Sequence, residues 1–133
     1  MDMWYRLGAE IILTPSDEGM TGAVEQAQEL LRQIPGAYMP QQFNNAANPM
    51  VHYRTTGPEI WEQTGGQVTH FVGSIGTGGT IMGTGRYLKS RSRDIEIVAV
   101  EPDDAFHGIE GLQHMASSIV PGFYKEQALD RKL

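Results

Sequence analysis

Three glycines in four positions, Gly76, Gly78 and Gly79, are interleaved with Thr77 and Thr80 in the stretch Gly73-Ser74-Ile75-Gly76-Thr77-Gly78-Gly79-Thr80. Of the 16 glycines in the 133-residue chain, eight lie between Gly65 and Gly85, so this clustering needs a cause. Apolar residues precede the stretch and a helical pattern follows it. A helix N-terminus leaves backbone N–H groups unpaired and carries partial positive charge. Glycines let a chain fold tightly around an anion with no Cβ in the way, and the threonine hydroxyls can add hydrogen bonds. The chemistry these residues suit is a phosphate cradle. A nucleotide fits the letters poorly. The Walker pattern needs Gly-Lys-Ser/Thr, whereas Gly79 is followed by Thr80. A dinucleotide fingerprint starting at Gly76 needs glycine where Ile81 stands. A small phosphorylated cofactor held without a cation remains. The plain alternative is a ligand-free strand-to-helix turn, although this many glycines exceed what a turn needs.

The loop must be carried by flanking elements. Val68-Thr69-His70-Phe71-Val72 is rich in β-formers and predicts a strand before it, and Ile81 to Lys89 predicts a helix after it, weakened by Gly83 and Gly85. Ile95 to Val100 reads as a second strand, ended by Glu101-Pro102. Upstream, Ala9 to Thr14 predicts a short buried strand, and Ala37-Tyr38-Met39 another. Between them Val24, Ala27, Leu30, Leu31 and Ile34 form the stripe of an amphipathic helix stopped by Pro35-Gly36. Asn48 before Pro49, and the Thr56-x-x-Glu59 spacing, predict helix caps and hence two short helices or one kinked helix over Pro49 to Gln63. The alternation argues for an α/β fold with a mostly parallel sheet and flanking helices. The stretch Pro35 to Pro49 is the candidate domain crossing. No element is predicted beyond Asp103.

The motifs together give a resemblance. Gly76-Thr77-Gly78-Gly79-Thr80 resembles the phosphate loop of cysteine synthases and their cystathionine β-synthase relatives, which are fold type II enzymes dependent on pyridoxal phosphate (PLP), with a tryptophan synthase β-like fold. Gln42-Phe43-Asn44-Asn45 through Asn48-Pro49, His52-Tyr53, and Thr55 to Trp61 are similar to the segment before that loop. Leu7 to Leu13 and Gly19 to Ala23 are similar to the part further upstream. The likeness covers nearly the whole chain and is nearest to the B-type enzyme. A dehydratase relative is disfavoured by Thr77 and Thr80.

The resemblance implies synthesis of L-cysteine from O-acetylserine and sulfide, in a cytoplasmic homodimer. It implies that Gly76, Thr77, Gly78, Gly79 and Thr80 hold the cofactor phosphate. Gln42 would bind the substrate carboxylate, and Gly111 would line the substrate side. Residues 1–40 would end the smaller domain and 41–133 would form part of the larger, PLP-phosphate-binding one. The family's cofactor-bearing lysine sits in a Ser-x-Lys-x-Arg motif that this sequence lacks, since its lysines are Lys89, Lys125 and Lys132. Lys89 is expected to face solvent. The expectation is therefore an internal segment of the enzyme with no catalytic residue of its own. The rival is a non-catalytic phosphate-binding module.

Composition narrows the rest. The net charge is −6 and no basic stripe is present, which disfavours nucleic acid and anionic membrane. No apolar run reaches the roughly 20 residues of a membrane span, and the start of the chain shows no signal-peptide pattern. Cysteine is absent, in weak agreement with a reducing cytoplasm. His107, Glu110 and His114 would share a face if helical and could then hold a metal, but a solvated turn is the preferred reading. Glu101, Asp103 and Asp104 follow a strand end and read as a solvated acidic loop. Trp61 reads as core.

Overall fold

In the computed structural model, which describes residues 2–133, the chain divides into units Met1–Pro40 and Gln41–Leu133. The first unit holds α1 (Asp2–Arg6), a 3₁₀ turn at Ser16–Glu18 and α2 (Gly19–Gln33). α2 forms over the predicted run as far as Gln33; of the stripe, Val24, Ala27 and Leu30 are half-buried, whereas Leu31 and Ile34 are exposed. Its wet face carries the Glu29 carboxylate, which accepts from Arg32 Nε at 3.0 Å and from Gln33 at 2.7 Å. The helix ends at Gln33, where Ile34 turns extended at φ −103°, and Gly36, at φ 79°, sits in the turn that follows, in the left-handed region that glycine tolerates.

The two strands expected in this unit do not form. Residues 9–15 and 37–40 have no regular secondary structure. Local β-propensity makes a strand only where a neighbour offers a ladder, and none does so here. Leu13 is 71% exposed and Tyr38 79%.

The second unit is an α/β layer. It contains α3 (Ala47–Arg54), α4 (Thr56–Gln63), β1 (His70–Ser74), α5 (Gly79–Arg91), β2 (Glu96–Val100) and β3 (Arg131–Lys132). The sheet order is β1-β2-β3, and both pairings are parallel. This is the α/β class with a parallel sheet that the alternation predicts. β1 begins later than expected, although Glu96 N–H still donates to the Thr69 carbonyl at 2.9 Å.

The core lies between the sheet and α5. Ile75, Ile81, Leu88, Ile95, Ile97 and Ala99 are buried there with Tyr87 and Met115, and the partly buried Trp61 packs against them. Burying such side chains contributes about 1.5–3 kcal/mol each.

Gly83 and Gly85 do not interrupt α5, which runs without a break. A Cβ on Gly83 would lie 2.1 Å from the Pro49 carbonyl oxygen, and one on Gly85 would lie 3.1 Å from Ile97. The glycines allow α3 and β2 to approach the helix closely. Neither predicted cap forms. α3 starts before Asn48, and the Asn45 side chain accepts the Ala47 N–H instead. α4 has no side-chain cap, and the Thr56 hydroxyl pairs with His52 Nδ1 at 2.9 Å.

β3 was not foreseen. It is set by contacts far apart in sequence. The Asp130 N–H donates to the Ile97 carbonyl, and the Asp130 carboxylate accepts the Ile97 N–H at 2.7 Å and Lys89 Nζ at 2.8 Å.

Candidate functional site

Strand β1 delivers the chain to the sheet's C-terminal edge, where the glycine-rich loop turns into α5. Ile75 anchors the turn: its side chain is fully buried, its N–H donates to the Val100 carbonyl, and its carbonyl accepts from Gln113 N–H at 2.8 Å. Beyond it, the backbone N–H groups of Gly76, Thr77, Gly78, Thr80 and Ile81 have no acceptor among the described residues. Gly78 sits at φ 78° and ψ 0°, immediately before the first residue of α5. This conformation is disfavoured for residues with a Cβ and is of the kind that backbone anion-binding turns use.

The threonines are held from one side by α3. Thr77 Oγ1 accepts from Asn48 Nδ2 at 3.0 Å, and Thr80 Oγ1 lies 3.2 Å from His52 Nε2. Asn48 and His52 are four residues apart, one turn of α3, so they present one face to the loop.

Packing explains some of the glycines that the sequence suggested were reserved for an anion. A Cβ on Gly76 would come within 2.6 Å of the Gly111 carbonyl oxygen, and one on Gly79 would fall 1.8 Å from Asn48 Oδ1. Gly111, at φ 83°, is thereby brought against the loop. Gln42 is exposed, and its carbonyl accepts from Asn48 Nδ2 at 2.9 Å. Its turn is shaped by Gln41, the one non-glycine residue at positive φ among those described, whose Oε1 accepts the Phe43 and Asn44 N–H groups. The structure thus gathers Gln42, Gly76 to Thr80 and Gly111 around Asn48 and the loop. Asn48 and His52 were missed as members of this cluster. Their spacing on one helix face was the available signal.

The three lysines have other settings. Lys89 does not simply face solvent: its ammonium pairs with Asp130 at 2.8 Å. Lys132 pairs with Glu101 at 3.0 Å and with Glu126 at 3.5 Å. Lys125 is exposed.

Glu101 is no solvated loop residue. Burial pushes its carboxyl up, but the Lys132 ammonium and the Met115 N–H more than offset this and hold it below the usual range. His107 Nδ1 lies 3.2 Å from the Ile109 N–H, and His114 Nδ1 lies 2.9 Å from Ser117 Oγ. A cleft of about 570 Å³ runs beside α5, lined by Pro49, Met82, Arg86, Phe123 and Lys125 among others, and no residue of the loop lines it. Among the described residues no helix is long and apolar enough to cross a membrane.

Comparison with known proteins decides the family. A model of the family "Pyridoxal-phosphate dependent enzyme" matches residues 1–131. The chain belongs to this family. The cysteine synthase of Aquifex aeolicus is 50% identical over 127 residues, which cover 95% of this chain and 39% of that protein. Cysteine synthase B of Escherichia coli is 42% identical over 126 residues, covering 95% and 41%. Among solved structures, the cysteine synthase of Entamoeba histolytica superposes with a TM-score of 0.87 at 34% identity, over 99% of this chain and 41% of that one. The O-acetylserine-dependent cystathionine β-synthase of Helicobacter pylori gives 0.86 at 38% identity, over 98% and 44%. The chain therefore spans about two fifths of the length of these relatives.

The residues present fit the phosphate of the family's cofactor. Five unpaired N–H groups and two hydroxyls lie within one short stretch, and the left-handed Gly78 shapes the loop that carries them. They do not supply a lysine poised to hold the cofactor covalently, because two of the three are ion-paired and the third is exposed.

Proposed function

We propose that this chain is the phosphate-holding portion of a cysteine synthase. Gly76, Thr77, Gly78, Gly79 and Thr80 bind the cofactor phosphate, Gln42 binds the substrate carboxylate, and Gly111 lines the substrate side. The observation that carries this reading is the row of unpaired N–H groups at the entry of α5, flanked by the Thr77 and Thr80 hydroxyls.

When bound, pyridoxal phosphate supplies the electron sink for chemistry at the substrate Cα. The chain's own contribution is orientation. Backbone dipoles fix the phosphate without a cation, so the anion is held by groups that do not have to reorganise. The Thr77 hydroxyl accepts from Asn48 and keeps its own proton for the anion. Gln42, tied to the same asparagine through its carbonyl, has an exposed amide side chain that can meet a carboxylate. The substrates of the complete enzyme are O-acetylserine and sulfide, and the complete enzyme is a cytoplasmic homodimer, both by likeness to the family.

A second reading, a non-catalytic phosphate-binding module, is favoured by the engaged or exposed state of all three lysines. A chimera separates the two. This chain replaces the matching stretch of the Escherichia coli cysteine synthase B, and cysteine formation from O-acetylserine and sulfide is measured. The enzyme-segment reading predicts activity that Gln42→Ala or Gly78→Val removes. A folded, cofactor-loaded chimera that forms no cysteine would favour the module.

A further inference from the structure

We infer that Asn48 is a positioning residue that ties the Gln42 turn to the phosphate loop through one side-chain amide. The inference rests on the cradle reading above and extends it to a residue outside the loop.

The amide orientation is dictated by its partners. The Gln42 carbonyl can only accept, so Nδ2 must face it, at 2.9 Å. The same nitrogen reaches Thr77 Oγ1 at 3.0 Å, so both of its protons are used, one on each predicted subsite. Thr77 also accepts the Gly79 N–H at 3.4 Å and donates to no described residue. Its hydroxyl is filled on the acceptor side, and its proton is left for an anion at the start of α5.

The fit around the amide is close. Oδ1 occupies the space that any Cβ at position 79 would need, so Asn48 requires the glycine there. Asn48 is itself fixed in α3, whose Pro49 carbonyl packs on Gly83. A rigid helix thus supports both groups. The Gln42 turn has a second tether, since the Phe43 carbonyl accepts the Gly122 N–H at 3.0 Å. Loss of Asn48 should therefore loosen the turn without releasing it.

The test uses the whole 133-residue chain as wild type, Asn48→Ala and Asn48→Asp. Two readouts are taken: amide shifts and hydrogen exchange in phosphate-free protein, and affinity for inorganic phosphate. In Asn48→Ala, the amides of Gln42–Phe43 and of Thr77–Gly79 should move together and exchange faster, while those of β2 stay unchanged. Phosphate should bind about fivefold to tenfold more weakly, the loss expected for one hydrogen bond. Asn48→Asp keeps the volume, removes both donors and draws the Thr77 proton away from the anion, so its affinity should fall further than that of the alanine variant. Perturbation of only one segment or of neither, or an aspartate variant that binds phosphate as the wild type does, overturns the inference. If wild-type protein binds no phosphate, the cradle reading fails. Asn48 is then judged by the coupled shifts in phosphate-free protein alone.

Discussion

Asp130 shows how much one side chain can carry. Its carboxylate takes a hydrogen bond from the Lys89 ammonium and another from the Ile97 N–H, and both hold its pKa below the usual carboxylate value. The folded pKa is thus lower than the unfolded one, which is about 3.9. The stability it contributes is fully present above that unfolded value and is lost as pH falls through it towards the folded pKa. Because the group is partly solvated, the contribution is about 1 kcal/mol or less. Asp130→Asn should lower the urea midpoint at pH 7 and flatten its fall between pH 5 and pH 3. An unchanged acid limb would show that the pair does not stabilise the fold. None of this was legible from the sequence, where Lys89 read as a solvated residue and Asp130 had no assigned element. The pairing spans 41 residues of chain, and local patterns do not encode such a distance. Asn48 escaped for the same reason. Locally it reads as a cap, while its contacts lie at Gln42 and Thr77.

At the scale of elements, the β1–loop–α5–β2 unit was legible because each part has a strong local signature: β-formers, a glycine cluster, a helical run and an apolar strand. β3 was not, because two residues form a strand only through their partners Val98 and Ala99. The runs at 9–14 and 37–39 failed in the opposite way, having strand-like letters with no ladder to join. The glycines of α5 were misread as weaknesses because propensity takes no account of neighbours. Gly83 is where the α3 backbone meets α5, so Gly83→Ala must push two helices apart. We expect a loss of about 1–3 kcal/mol, typical of overpacking, despite alanine's better helix propensity. Urea denaturation would check this, and a stabilised variant would show that the helices adjust freely. α3 also carries Asn48 and His52, so the same substitution should disturb the loop.

For the whole molecule, the chain belongs to the pyridoxal-phosphate dependent family and spans about two fifths of the length of its relatives. Residues 41–133 form a sheet layer with its own core, whereas residues 3–40 bury only Gly22 and leave Trp4, Leu7, Leu13 and Tyr38 exposed. What the chain offers chemically is concentrated where β1 leads into α5, in the unpaired backbone N–H groups and the hydroxyls of Thr77 and Thr80 held by Asn48 and His52, while its lysines are ion-paired or exposed. The central claim is that this stretch holds a phosphate, and its most direct measurement is a titration of the intact chain with inorganic phosphate, followed through the amide signals of residues 76–81. Wild-type protein should show saturable shifts confined to those residues. Gly78→Val, which forces a β-branched residue into a left-handed position 3.0 Å from Tyr124, should show none while its β2 signals persist. Equal affinity in the two proteins, or saturable shifts elsewhere with none in the loop, would contradict the account.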